Sequence, residues 1–343
     1  MTASRSANPA RLCDLKNNQE ADFFAQLSAK EAHTTRDGKP YVRVGFRDAE
    51  RDVQFPIWSD SPWYEPCLKS WNVGDFYKLR AAFRETSYGP QLEIRRVRPA
   101  TDEDAAEGFD RWMLLPRSRR DAESMYAELC ALIRERIADE GVRRLVLGIL
   151  EAHRPAVLRW PASLRHHHAY LGGFVEHALS VVRTADFLAT KYRDQYPDLS
   201  PPLDADLVLA GAVLHDIGKL RELDQTPAGA ARSIRGSLLG HVVLGRDMVR
   251  EAAADPDVGS QIAPEKLLRL EHILVSHERQ AEWGGVRPAM TPEALLVQAA
   301  DDLDARFDML QAVLSGDKTE GPFTSSKNLL QTELFRGETA KQA

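Results

Sequence analysis

The sequence predicts an α+β multidomain protein in which a small N-terminal β-barrel precedes an all-α domain. Short strand-like segments separated by turns fill residues 12–100, and the apolar period becomes helical after about residue 121. At 343 residues the chain also exceeds the usual size of one domain. We therefore divide it into a barrel (12–100), an acidic linker (101–120), a helical domain (121–314) and a polar tail (315–343) that is only partly ordered.

The clearest strand runs from Tyr41 to Arg47, where apolar and polar residues alternate. Its apolar members would point to one face of the sheet, and Tyr41, Arg43 and Arg47 to the other. Residues 53–58 read as the returning strand and end in Trp58. Residues 76–84 and 91–97 flank a second turn. Several short strands in fewer than about 100 residues are typical of a small sandwich or barrel.

The second half of the chain shows apolar residues at spacings of three and four, which predicts amphipathic helices. Seven helices are expected, over residues 122–138, 142–152, 174–192, 205–214, 238–253, 264–276 and 292–314.

The composition is that of an ordinary soluble protein, with 43% hydrophobic and 28% charged residues. No apolar run reaches the roughly 18 residues needed to cross a bilayer, and the first residues lack the apolar segment of a secretory signal. The three cysteines, Cys13, Cys67 and Cys130, form no zinc or disulfide pattern. We expect a cytoplasmic protein without a membrane partner.

The net charge of −6 is unevenly distributed. Residues 1–100 hold 16 Lys and Arg against 13 Asp and Glu, a balance of +3, and the remainder carries −9. A mildly basic front half is compatible with contacts to phosphates, and an acidic back half with cation binding. Neither imbalance is large enough to decide the function.

Four segments combine histidine or aspartate with apolar helical surroundings. They end in His177, in the pair His215-Asp216, in His241 and in Asp301. Uncompensated imidazoles and carboxylates are costly in such places, and coordination to a metal is one way to compensate them. A single histidine on an apolar helix is more often a hydrogen-bonded core residue. The string His-Asp-x-Gly-Lys, residues 215–219, is more specific, and mixed His/Asp ligation suits Mn²⁺, Fe²⁺ or Zn²⁺.

The order of these residues, H…HD…D, resembles the HD superfamily of metal-dependent phosphohydrolases. The segments 167–177, 210–219, 236–241 and 300–305 are more narrowly similar to the YhaM-type 3′→5′ exoribonucleases. That family places an OB-fold nucleic-acid-binding domain before its HD domain. Residues 36–42 resemble the start of a strand in that OB fold, so the resemblance covers about residues 12–312.

The resemblance implies His177, His215, Asp216 and Asp301 as the central metal ligands, with His241 and His277 serving a second ion. It also implies one or two divalent ions, and the additional carboxylate of Glu278 favours Mn²⁺ among them. The family usually reads Ser-His-His-Gly where this chain has residues 276–279, Ser-His-Glu-Arg. Glu278 therefore replaces the second histidine, as a hard ligand or as a solvent-facing partner of Arg279. Asp302 and Asp304 compete with Asp301 as the ligand, but both are expected to face solvent or to cap local contacts.

Asp216 and Lys219 are the expected catalytic residues. A bound metal polarises phosphoryl oxygens and activates water. Asp216 would orient that water, and Lys219 would neutralise charge on the scissile phosphate, although a solvated lysine is a comparable reading. The expected nucleic-acid contacts are Tyr41, Arg43, Arg47, Trp58, His167 and His168, because aromatic rings beside cations suit single strands. Trp58, and Phe83 and Tyr88 near the second turn, could instead be structural, and the histidines could instead support the site.

Three functions remain open at this point. The first is a metal-dependent 3′→5′ exoribonuclease acting on single-stranded RNA, with single-stranded DNA as a further substrate. The second is an HD phosphohydrolase acting on free or cyclic nucleotides, with a regulatory barrel. The third is a non-catalytic nucleic-acid-binding protein. A homo-oligomer is compatible with each of them.

Overall fold

A computed structural model of the chain describes residues 9–226, 229–259, 261–280, 284–317 and 319–338. The chain divides into two compact units. One unit comprises the described residues up to Arg117 together with those of the segment 225–231. The other comprises residues 118–224 and the described residues from Arg232 onward.

The N-terminal unit is built on a five-stranded antiparallel sheet with the strand order β3-β2-β1-β4-β5. The strands are β1 (Glu20–Thr34), β2 (Pro40–Arg47), β3 (Asp52–Trp58), β4 (Phe76–Thr86) and β5 (Gly89–Pro99). A short helix, α1 (Tyr64–Ser70), connects β3 to β4. Trp63, just beyond β3, donates a hydrogen bond from its indole to the carbonyl of Ile94 in β5, 3.0 Å away. The two edges of the sheet therefore approach each other, and the sheet is barrel-like.

The alternation predicted for β2 is confirmed, since Val42, Val44 and Phe46 are fully buried. Strand β1 does not alternate in this way. Residues 23–27 are all buried, and the register against β2 shifts between Leu27 and Ala29. A shift of this kind is a β-bulge, which bends a strand and helps a sheet to curl.

The acidic segment expected as a linker is structured as a 3₁₀-helix over Asp102–Glu107. The carboxylate of Asp104 is almost fully buried and accepts two hydrogen bonds from the guanidinium of Arg98. Phe109 follows and packs against Phe24 and Phe76, with ring centroids 5.0 and 5.8 Å apart. This part of the segment therefore packs on the sheet, and the chain passes into the helical unit after Arg117.

The other unit is mainly helical, and all seven predicted helices are present in it. They are α2 (Ala122–Arg136), α3 (Glu140–Ala152), α5 (Gly173–Gln195), α6 (Ala205–Leu214), α8 (Ile234–Ala253), α10 (Pro264–Ser276) and α11 (Pro292–Gly316). Three short helices were not predicted, α4 (Arg154–Arg159), α7 (Lys219–Glu222) and α9 (Pro256–Gly259). In the sequence, α7 and α8 are separated by a two-stranded ladder of β6 (Leu223–Thr226) and β7 (Gly229–Arg232), whose described residues within 225–231 belong to the N-terminal unit. Helix α6 is the core of the unit, because every residue from Leu207 to Leu214 is buried.

Two glycines bring α8 close to the end of α6. Gly240 has a φ of 72°, a left-handed conformation that suits glycine, and it interrupts α8 directly before His241. Gly218 lies against α8 so closely that a Cβ atom there would be 1.9 Å from the carbonyl oxygen of His241. The glycine of the His-Asp-x-Gly-Lys string is therefore needed for this close approach, which places His241 beside the residues that follow α6.

The described residues of the tail are anchored by Arg336. Its guanidinium donates hydrogen bonds to the carbonyls of Asp317, Gly321 and Phe323. The rings of Phe323 and Phe335 pack together at 5.4 Å. This part of the tail is more ordered than its polar sequence led us to expect.

Candidate metal centre

All six residues expected as metal ligands converge in the helical unit. His177 lies in the first turns of α5, and His215 and Asp216 directly follow α6. The other three come from the second part of α8, the end of α10 and the middle of α11, and they are His241, His277 and Asp301. Five of the six are buried, and Asp301 is nearly so. The convergence depends on long-range packing, because the six residues span more than a third of the chain.

The first cluster consists of His177, His215, Asp301 and one oxygen of Asp216. The Nε2 atoms of the two histidines are 3.2 Å apart, and they lie 3.3 and 3.7 Å from Oδ1 of Asp301. Oδ2 of Asp216 is 3.7 Å from His177 and 3.5 Å from His215. Four ligands placed about 2.1 Å from one ion in a tetrahedron are about 3.4 Å apart. The spacing of the first cluster therefore fits one cation.

The second cluster uses the other oxygen of Asp216. Its Oδ1 atom lies 3.5 Å from Nε2 of His241 and 3.7 Å from Nε2 of His277, and these two nitrogens are 3.4 Å apart. Oε1 of Glu278 lies 3.5 Å from His241 and 4.0 Å from His277. Asp216 is thus shared by two clusters, and Glu278 supplies an oxygen to the second. Arg279 pairs with Asp302 instead of Glu278.

The orientation of the imidazoles also suits cation binding. Nδ1 of His215 contacts the carbonyl of Ala212 at 2.9 Å, and Nδ1 of His277 contacts the carbonyl of Leu274 at 2.8 Å. A carbonyl oxygen only accepts hydrogen bonds, so each Nδ1 carries a proton and donates it. The Nε2 atoms are left to face the carboxylates. Hydrogen bonds of this kind, made by the ring nitrogen that does not face the ion, orient histidine ligands in metal sites. The residues present therefore fit one or two divalent ions.

The charges of the cluster are strongly coupled. Burial would raise the pKa of Asp216, but the ammonium of Lys219 and the neighbouring imidazole of His215 hold it well below its usual value. Burial would lower the pKa of His177, but hydrogen bonds to Asp301 and Asp304 raise it to about 10. Lys219 is buried and donates a hydrogen bond to Oδ2 of Asp216. It is therefore not a solvated lysine, and its ammonium lies directly beside the first cluster.

The expected nucleic-acid contacts of the N-terminal unit include a row of rings across three strands. Tyr41 of β2 pairs with His33 of β1 and with Trp58 of β3. The ring centroids are 5.4 Å apart for His33 and Tyr41, and 5.1 Å apart for Tyr41 and Trp58. Trp58 is 39% exposed, so it does not complete the core, and the ammonium of Lys39 lies 5.4 Å from its ring. His33 and Lys39 were not expected in this group.

The other residues of that group differ in exposure. Arg43 is exposed. Arg47 is partly buried and donates a hydrogen bond to Gln26, so its guanidinium is engaged within the protein. Phe83 is a core residue beneath the guanidinium of Arg51, whereas Tyr88 is 93% exposed in the turn between β4 and β5.

The comparison with known protein families identifies the helical site. The model of the HD domain matches residues 174–306, a range that contains all six converging residues. The helical unit carries an HD domain. Over the described residues, none of its helices is both long enough and apolar enough to span a bilayer.

The chain is also similar to a curated protein over most of its length. It is 28% identical over 321 residues to the 3′-5′ exoribonuclease YhaM of Bacillus subtilis (strain 168), which covers 92% of this chain and 94% of that protein. The expected resemblance to YhaM-type exoribonucleases is confirmed, as is the α+β order of a sheet unit before an HD domain. No solved structure gave a significant match.

A second family model, TraI_2, whose description names a helicase, matches residues 110–196. This range ends before His215 and Asp216. The sequence contains no G-x-x-x-x-G-K-[ST] segment, which P-loop NTPases use to hold nucleotide phosphates.

A carboxylate outside the HD ligand set holds His177 in place. Oδ2 of Asp304 accepts hydrogen bonds from Nδ1 of His177 at 2.8 Å and from Nε2 of His168 at 2.9 Å, and its Oδ1 accepts one from Ser180. Asp302 pairs with Arg279 and Arg306 near the surface, as expected. The expectation that Asp304 would also face solvent or cap local contacts was wrong, because it supports a metal-site histidine from across the fold.

His168 belongs to the same network. It is buried, and its other ring nitrogen contacts the hydroxyl of Tyr170 at 2.7 Å. Both ring nitrogens are therefore engaged within the protein. The structure places His168 in support of His177 and not on an exposed nucleic-acid surface, which is the second of the two roles that the sequence left open for it.

His167 faces the cluster itself. Its ring packs against that of His177 at 4.9 Å, and one of its nitrogens lies within 4.8 Å of ligand atoms of His177 and Asp216. Burial, together with the charges of His177 and Lys219, lowers the pKa of His167 to about 2, so its ring is neutral. Its neighbour His166 is exposed.

Proposed function

We propose that this chain is a divalent-metal-dependent 3′→5′ exoribonuclease that hydrolyses the phosphodiester bonds of single-stranded RNA. The observation that carries the proposal is the pair of buried His/Asp clusters that share Asp216 within the HD domain. The similarity to a curated 3′-5′ exoribonuclease over 92% of the chain supports the polarity and the substrate class.

The first cluster would hold one ion through His177, His215, Asp216 and Asp301. The second would hold another through Asp216, His241, His277 and Glu278. Ions bound there would supply Lewis-acid polarisation of the phosphoryl oxygens and a more acidic water. Because Glu278 adds an oxygen ligand, we propose a preference for a hard ion such as Mn²⁺ over Zn²⁺.

The protein's own residues would prepare the site for the phosphate. The carboxylate of Asp216 contributes one oxygen to each cluster and so fixes the spacing between them. Lys219 carries its positive charge beside Oδ2 of Asp216, where it would offset negative charge that develops on the phosphate. Asp304 and the carbonyls of Ala212 and Leu274 hold the histidine rings and so limit the reorganisation needed on substrate binding.

The N-terminal unit would hold the RNA strand. Its strand order, with a helix between β3 and β4, is compatible with the OB fold, whose binding face includes the second and third strands. The rings of Tyr41 and Trp58 would stack on bases, and Arg43 would contact phosphates. Exposed stacking rings are of more use with a polymer than with a free nucleotide, which favours a nuclease over a nucleotide phosphohydrolase. All three cysteines are free thiols, which supports a cytoplasmic location.

Single-stranded RNA of one sequence, supplied linear and circular, tests the proposal. With Mn²⁺, linear RNA labelled at its 5′ end should give a ladder that shortens progressively. RNA labelled at its 3′ end should release labelled mononucleotide at once, and circular RNA should remain intact. Cleavage of the circle would indicate an endonuclease. Hydrolysis of cyclic nucleotides without any action on RNA would favour the nucleotide phosphohydrolase. DNA of the same sequence tests the second substrate.

A further inference from the structure

His167 holds a polar atom that no described residue satisfies. Its Nε2 atom is buried and has no hydrogen-bond partner within the described chain. The adjacent His168 shows the opposite situation, with both of its ring nitrogens engaged. A buried donor or acceptor without a partner is unfavourable and is rare in folded proteins. Because this atom lies beside the His/Asp clusters, a water or ligand bound there would complete its hydrogen bonding.

The position of His167 distinguishes it from the expected metal ligands. Ligand atoms of the first cluster lie 3.2 to 3.7 Å apart. One ring nitrogen of His167 lies within 4.8 Å of ligand atoms of His177 and Asp216. Its ring is tilted by 50° against that of His177. A ligand bound at the first cluster would therefore lie within reach of the His167 ring, close to the ammonium through which Lys219 donates a hydrogen bond to Asp216.

We propose that His167 is a catalytic residue that donates a hydrogen bond from Nε2 to a non-bridging oxygen of the scissile phosphate. This inference rests on the proposed function, because it requires a phosphodiester at the first cluster. The oxygen would lie between the imidazole of His167 and the ammonium of Lys219. His167 would then act on the reacting group directly, whereas His168 acts through Asp304 and His177.

Three variants of the full chain test the role of His167. His167→Phe keeps a ring of similar size but cannot donate, and His167→Gln can place an amide N–H near the original Nε2 position. His166→Gln is the matched control, because His166 is exposed in the same tripeptide. Steady-state kinetics on single-stranded RNA, bound Mn²⁺ per chain and the thermal midpoint of the metal-free protein would be measured for each.

We expect His167→Phe to lower kcat by about 100-fold, the usual effect of removing one donor to developing negative charge, with a smaller change in KM. His167→Gln should recover at least part of that loss, and His166→Gln should behave as the wild type. Bound Mn²⁺ should not change. The metal-free His167→Phe protein should be at least as stable as the wild type, because the variant removes an unpartnered buried nitrogen. A merely structural role for His167 would lower its thermal midpoint instead.

Two outcomes would overturn the inference while leaving the proposed function intact. One is a wild-type kcat for His167→Phe while Asp216→Ala is inactive. The other is the loss of one bound ion in His167→Phe, which would make His167 a metal ligand. If the wild type fails to degrade RNA, the proposed function fails. In that case, calorimetric titration of the wild type and His167→Phe with adenosine 5′-monophosphate in the presence of Mn²⁺ tests whether His167 contacts a phosphate. Weaker binding by His167→Phe supports it, and equal binding overturns it.

Discussion

The outer carboxylate Asp304 offers a sharp test of how the HD domain organises its ligands. Its Oδ2 atom accepts hydrogen bonds from Nδ1 of His177 at 2.8 Å and from Nε2 of His168 at 2.9 Å. In Asp304→Asn the side chain keeps its shape, but one carboxylate oxygen becomes an NH₂ donor and the negative charge is lost. His177 is then held less firmly, and its Nε2 atom becomes a weaker ligand.

Loss of such an outer partner typically weakens metal binding by about 10- to 100-fold, or about 1.4 to 2.8 kcal/mol. We expect a shift of this size for Mn²⁺ at the first cluster, with activity restored at a higher Mn²⁺ concentration. The assay is calorimetric titration with Mn²⁺ together with the Mn²⁺ dependence of RNA hydrolysis.

Asp302→Asn is the matched control for this experiment. Asp302 lies in the same helix and pairs with Arg279 and Arg306 near the surface. It carries the same charge but touches none of the clustered histidines, so its variant should bind Mn²⁺ as the wild type does. Identical titrations for Asp304→Asn and the wild type would refute the reasoning. Equal weakening in both variants would also refute it, because the effect would then be one of net charge.

Three further predictions concern other parts of the chain. Trp58→Ala should weaken binding of single-stranded RNA by about 5- to 150-fold, because one stacked base contributes about 1–3 kcal/mol. Fluorescence anisotropy titrations measure this affinity, and an unchanged affinity would exclude Trp58 from the RNA site. Glu278→His should shift the metal preference of the rate from Mn²⁺ toward Zn²⁺, and superimposable metal profiles would show that Glu278 is not a ligand. The pKa of Asp104 is held below its usual value chiefly by Arg98, so its contribution to stability is present above about pH 4 and is lost as the pH falls through the folded-state value. Asp104→Asn should therefore lower the free energy of unfolding in urea by about 1–3 kcal/mol at pH 7, with a smaller difference from the wild type below pH 4. A difference that is independent of pH would contradict this explanation.

The helices and the main ligands could be predicted from the sequence because their signals are local. Apolar residues that recur every three to four positions predicted all seven major helices. The residues from His215 to Lys219 indicated the centre of the site. A histidine and an aspartate at the end of an apolar helix are costly to bury unless a partner such as a metal ion compensates them. Helix α8 was predicted to begin at Leu238 and begins at Ile234, because Ser233 caps it through the backbone N–H of Gly236.

The features that escaped prediction depend on tertiary packing. Asp301, Asp302 and Asp304 are close in sequence, and only the packing of α11 against α5 decides which of them meets a histidine. His167 and His168 are identical and adjacent, yet the ring of His168 contacts Tyr170 and Asp304 while that of His167 packs against His177. Strand β1 was not recognised as a single element of 15 residues, because its central run is buried without alternation and its register shifts at a bulge.

Asp216 is the residue on which both clusters depend, and its removal tests the central claim most directly. The measurement is the number of Mn²⁺ ions bound per chain, by elemental analysis, together with hydrolysis of labelled single-stranded RNA, for the wild type and Asp216→Ala. We predict a folded variant that loses bound metal and loses hydrolysis by orders of magnitude. Full metal occupancy with normal turnover in Asp216→Ala would contradict the claim that the shared carboxylate organises the catalytic site.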